Sequence, residues 1–146
     1  MTRYALALTA IAAALVLNAT TTARAHTPED VYDDCVEAIA SAVHRCQARN
    51  RTSAADGSQL ITRLLNAGQT QRARLVAHRY RRKINADSEE CVDYVNHLCR
   101  RCVTALLEFG AEELARDLVG VCDRAVHAIR KSQRAALAAI NNALGG

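Results

Sequence analysis

"LLNAGQTQRAR" spans Leu64 to Arg74, and its single glycine decides how the chain folds. If Gly68 ends a helix, the chain reverses there. If it sits inside one, the flanking segments merge and run on. Glycine suits the left-handed residue that closes many helices, yet a lone glycine inside a helix costs only about 1 kcal/mol. A second stretch, "LLEFGAEELAR" from Leu106 to Arg116, has the same frame: Leu-Leu, a glycine at the same offset, and Ala-Arg at the end. Both are read here as helix, glycine turn, helix.

Outward from these turns every ordered segment has helical periodicity, and none alternates as a strand would. Thr27-Pro28-Glu29-Asp30 is a helix start, with Thr27 as N-cap, proline at the first helical position and acids in the first turn. The first helix should run to about Asn50, with Val31, Cys35, Ala38, Ile39, Ala42 and Cys46 on its apolar stripe. Asn50 to Ala55 has the composition of a polar linker. Asp56 with Gln59, three residues on, predicts a capping box for a second helix that stops near Ala67. A third helix is expected over Thr70 to Ile84, and a fourth, capped by Asp87 and Glu90, to Phe109. A fifth starts at Ala111-Glu112-Glu113. The expected fold is all-α: a compact bundle of about five helices in two diverged helical-hairpin units.

The cysteines carry the clearest pattern. "CVEAIASAVHRC" (Cys35 to Cys46) and "CVDYVNHLCRRC" (Cys91 to Cys102) are equal frames with Cys at both ends. The frames lie 56 residues apart and the glycine turns 42 apart, which implies 14 extra residues in the first unit. Eleven residues of helix is ~1100°, about 20° past three turns, and ~16 Å of rise. Each pair therefore shares one stripe, and equal spacing on two helices is what two rungs of a disulfide ladder require. If those helices are antiparallel, Cys35 joins Cys102 and Cys46 joins Cys91. If they are parallel, the partners are Cys91 and Cys102 instead. With Gly68 as a true turn, the antiparallel pairing follows. Cys99 and Cys122 flank Gly110 at eleven and twelve residues and are expected to pair. Each bridge should stabilise by about 2–4 kcal/mol.

Residues 1–25 look like a secretory signal peptide: Arg3, an apolar run from Tyr4 to Leu17, then Ala23-Arg24-Ala25 as a cleavage site. Residues 26–146 would then form a single helical domain. Six cysteines in an exported chain agree with three disulfides. Arginine outnumbers lysine 17 to 2, the balance of a GC-rich genome, so a bacterial periplasm or exterior is the expected compartment. No segment is long enough to be a transmembrane helix.

Cleavage would remove Arg3 and Arg24, leaving 17 basic against 15 acidic residues, too even a balance to suggest nucleic acid. Tyr32, Tyr80, Tyr94 and Phe109 are too few to stack bases or sugars. No nucleophile–base–acid set, phosphate-binding glycine loop or HExxH motif is present, so neither an enzyme nor a resident cofactor or metal is expected. Cys99-Arg100-Arg101-Cys102 has the spacing of redox thiols, but Cys99 falls in mid-helix, away from the N-terminus that would activate it. "QRARLVAHRYRRK" (Gln71 to Lys83) carries a basic face, with Arg79, Arg81, Arg82 and Lys83 as its densest part. The simpler reading is a solvated face that pairs with the chain's acids. The sharper one is docking on an anionic partner such as lipid headgroups or a cell-envelope polymer. The reading that follows is a non-catalytic helical binding or structural module. Two alternatives are a carrier of a small lipid-like ligand, which a central apolar cavity would favour, and a thiol-redox or metal protein using Cys99 and Cys102.

Overall fold

The computed structural model describes residues 27–145; the expected signal peptide lies outside the described residues. There are three long helices, not five: α1 (Pro28–Asn66), α2 (Thr70–Glu108) and α3 (Glu112–Ala143). The start is as the sequence suggests. The Thr27 hydroxyl accepts from the Asp30 amide at 3.2 Å, and the Thr27 amide donates back to the Asp30 carboxylate at 3.0 Å. With Pro28 at the head of the helix, two orphan amides are satisfied.

Both glycines are true turns. Gly68 has φ 71° and Gly110 φ 73°, a region that L side chains rarely adopt. The hydrogen bonds are the same at each. The Gln69 amide reaches Leu64 O at 2.8 Å and the Gly68 amide reaches Leu65 O at 2.9 Å. Ala111 reaches Leu106 O at 3.0 Å and Gly110 reaches Leu107 O at 2.9 Å. These are two copies of one Schellman closure. The chain therefore runs up, down and up, and each helix packs on the other two.

The two boundaries that vanish have a common cause. Asn50 to Ala55, expected as a linker, lies within α1, and the expected break between Ile84 and Asp87 lies within α2. Asn50, Ser53 and Ser88 look like linker and capping residues, yet all three are buried. The Ser88 hydroxyl donates to Asn50 Oδ1 at 3.2 Å, and Asn50 Nδ2 donates to Ser132 Oγ at 3.5 Å. One residue from each helix thus meets in a polar layer across the bundle. Polar groups inside a helix are tolerated when they are hydrogen-bonded, so the helices pass through. With those breaks gone, two hairpin units become one repeated helix-plus-turn. The helix starts at Pro28, Thr70 and Glu112 are 42 residues apart, as are the glycines.

The layer separates two apolar clusters. One contains Ile39, Ala42, Val95, Leu106, Leu118, Ile129 and all six cysteines. The other contains Ala54, Ile61, Ala73, Ala77, Ile84, Ala136 and Ile140 and no cysteine. Around the layer Arg130 grips both Glu89 oxygens, at 2.5 and 2.7 Å, and Gln133 donates to Asn85 at 2.9 Å.

Candidate functional site

Three disulfides staple one half of the bundle. Cys35 is joined to Cys102, Cys46 to Cys91 and Cys99 to Cys122, with Cα separations of 6.0, 6.0 and 6.1 Å. These separations lie within the roughly 4.4–6.8 Å over which a disulfide can close. Ala42 and Ala125 are buried among these cysteines. The Cys99-x-x-Cys102 sulfurs go to different partners on different helices, Cys122 on α3 and Cys35 on α1. No cysteine is free among the described residues, and no group of three or more His, Cys, Asp or Glu is placed to hold a metal ion.

Two grooves lie along these staples. One, of about 230 Å³, runs between α1 and α2 past Cys46, Cys91 and Tyr94, and the Arg49–Glu90 pair at 3.1 Å lies on it. The other, of about 550 Å³, runs between α2 and α3 past Cys99, Cys122, Val103 and Val119. Both open to the surface. The axis beneath is filled by Ile39, Val95, Leu106, Leu118 and Ile129, each at most 1% exposed.

The charges divide along the polar layer. Residues 28–48 and 91–128, the stapled half, hold eleven acids against five arginines. Residues 50–88 and 131–145, the half without disulfides, hold ten Lys and Arg against two acids. An overall charge close to balance hides a strongly bipolar rod about 58 Å long. This is why the expected pairing of the basic face with the chain's acids is confined to one contact: eleven of the fifteen acids sit at the far end. Of the ten bases only Lys83 has an ion pair among the described residues, with Asp87 at 2.5 Å on its own helix.

Within the basic face the four residues singled out from sequence behave differently. Arg79, Arg82 and Lys83 are exposed, while Arg81 is half-buried and donates from Nε to Asn141 Oδ1 at 2.9 Å. Arg72 and Arg74 are exposed as well, on the first turns of α2. Arg72, in the first turn, sits at the positive end of the helix dipole, where a cation costs about 0.3–1 kcal/mol. α1 and α3 follow the usual rule, with Glu29 and Asp30, and Glu112 and Glu113, in their first turns; α2 has no acid there and no capping side chain.

Sequence reasoning missed the polar layer. The signal available was Asn50 on the same three- and four-residue spacing as Cys35, Ile39, Ala42 and Cys46, which marks a core position. No family model matches this chain, nor does any curated protein or solved structure. No helix among the described residues is long and apolar enough to cross a membrane.

Proposed function

We propose that the chain is an exported, non-catalytic binding module that docks on an anionic partner through its disulfide-free half. The observation that carries this is the ten-to-two excess of basic over acidic residues there, with Lys83 alone in an ion pair among the described residues. A basic surface left unneutralised repels itself, and Arg72 opposes the α2 dipole besides. Inside the chain Arg72 gains only a hydrogen bond to Gln69 Oε1, at 2.9 Å, and a local rule broken for so small an internal return is the mark of a surface shaped for a partner. The stapled acidic half would be repelled by an anionic surface, so contact is confined to the disulfide-free half. Export is supported by the three disulfides, which persist in oxidising compartments. A carrier's ligand would have to displace the isoleucines and leucines of the axis, and both sulfurs of the CxxC are committed elsewhere.

The test is retention of the oxidised protein on a phosphate-bearing cation-exchange resin over a salt gradient. Replacing Arg72, Arg74, Arg79 and Arg82 by Gln should move elution to clearly lower salt. Replacing Arg100, Arg101, Arg116 and Arg124, the same charge from the acidic half, should move it much less. Equal shifts for the two quartets would mean that net charge alone matters and would overturn the reading.

A further inference from the structure

We infer that the anionic partner is a lipid membrane surface and that Leu75 is the side chain that enters it; this rests on the docking reading above. Leu75 is 67% exposed, the most exposed of the large apolar side chains among the described residues. On α2 it lies opposite the buried Ile84, nine residues on, which is two and a half turns. It therefore points straight away from the bundle. Arg72, Arg79 and Arg82 stand at i−3, i+4 and i+7 from it, on the same stripe, and all are exposed. A soluble helix normally places a polar residue at that outermost position. A leucine framed by arginines is instead the arrangement of helices that lie in a bilayer interface. There the apolar side chain passes below the headgroups while the cations hold the phosphates.

The charge pattern favours this occupant over a polymer. A soluble polyanion gains from every arginine but has no apolar layer to receive Leu75. An anionic bilayer offers both at once. A single leucine is too little to hold the protein on a neutral membrane, so both components are needed.

The chain contains no Trp, so Leu75→Trp makes a single reporter. On phosphatidylcholine vesicles containing about a third phosphatidylglycerol, its emission should shift to the blue, and brominated lipids should quench it. On pure phosphatidylcholine no shift should occur. Leu75→Ser, checked for folding by circular dichroism, should weaken vesicle binding about tenfold or more, the factor expected for burying a leucine. Its elution from the phosphate resin should not change. Vesicle binding unaffected by Leu75→Ser, or an indole in the Leu75→Trp variant that stays in water, would overturn the membrane inference and leave the anion-docking reading intact. So would a Leu75-dependent dimer without lipid, which would make the acidic half of a second copy the occupant. Failure of the docking reading has a different signature, equal resin shifts for the two arginine quartets.

Discussion

Truncating Asn50 should be far more costly than its linker-like sequence context implies. Its side chain is 2% exposed, and it joins all three helices by accepting from Ser88 at 3.2 Å and donating to Ser132 at 3.5 Å. Each intramolecular hydrogen bond is worth about 1 kcal/mol net, and the longer one less. Asn50→Ala also leaves a small void between tightly packed layers and strands the Ser88 hydroxyl, which can fall back on a carbonyl of its own helix. Together these give a loss of about 2 kcal/mol, with the midpoint falling and the slope unchanged in a guanidinium titration of the oxidised protein. Replacing the layer as a whole separates the value of the bonds from their purpose. Asn50→Leu with Ser88→Ala and Ser132→Ala removes every polar group at once, so nothing is stranded, and stability should match or exceed the parent. What should suffer is uniqueness of register, read as broadened amide resonances near the layer. A neutral Asn50→Ala, within about 0.5 kcal/mol of the parent, would show that the three side chains do not form one buried network.

The two mid-helix glycines should respond oppositely to alanine. At Gly57 a Cβ would come within 2.5 Å of the Ile140 tip and 2.8 Å of the root of the Tyr80 ring, so Gly57→Ala should lower stability by about 1 kcal/mol despite its helix propensity. At Gly120 only the end of Arg124 is near, at 3.4 Å, so Gly120→Ala should gain about 1 kcal/mol; thermal melts of both decide, and a stabilised Gly57→Ala would contradict the packing. The Arg130 guanidinium holds the Glu89 carboxyl below its ordinary range. A carboxyl depressed in the folded state stabilises above its unfolded range and loses that contribution as pH falls, so the stability gap between the parent and Glu89→Gln should close on acidification; a gap that persists at acid pH would assign it to packing instead. Peptide mapping without reduction should return Cys35–Cys102, Cys46–Cys91 and Cys99–Cys122, since cleavage at Arg100 or Arg101 parts Cys99 from Cys102; a Cys99–Cys102 peptide would contradict the fold.

Helix content, both turns and the cap at Thr27 were legible because each rests on interactions within a few residues. Glycine at a left-handed C′ position and threonine before proline act locally, so local sequence reports them. Helix continuity through residues 50–55 and 84–87 was not legible, because the partners that make a buried asparagine or serine acceptable lie on other helices. Asn50 meets a residue 38 positions away and another 82 away. A rule built on neighbours can see only a polar residue, and it answers with a break. The basic face was visible in composition, but its isolation was not. That depends on which half of the rod each acid occupies, and so on the turns.

One long-range signal was present and would have settled the role of Gly68 without a structure. Cys46 and Cys91 stand 22 and 23 residues from Gly68, and Cys35 and Cys102 stand 33 and 34 from it; Cys99 and Cys122 stand 11 and 12 from Gly110. Partners equidistant from a glycine are what a hairpin aligns, whereas a kink would give no reason for the symmetry. The recurring eleven has its own cause. Eleven residues are three turns at about 3.67 residues each, close to the natural 3.6, so a stripe written at that period stays on the seam over a long helix. α2 keeps the period throughout: Ala73, Ile84, Val95 and Leu106 are all buried and eleven apart, as are Ala77, Ser88 and Cys99. α1 does the same with Cys35 and Cys46, Ile39 and Asn50, and Ala42 and Ser53. The disulfides, the polar layer and the apolar clusters are therefore successive fillings of one repeating set of core positions. On the stapled half those positions hold cysteines that lock the helices together. Beyond the polar layer they hold alanine and isoleucine, and packing with a few hydrogen bonds, Arg81 to Asn141 and Ser58 to Ala139 O, secures the half that carries Leu75 and its arginines.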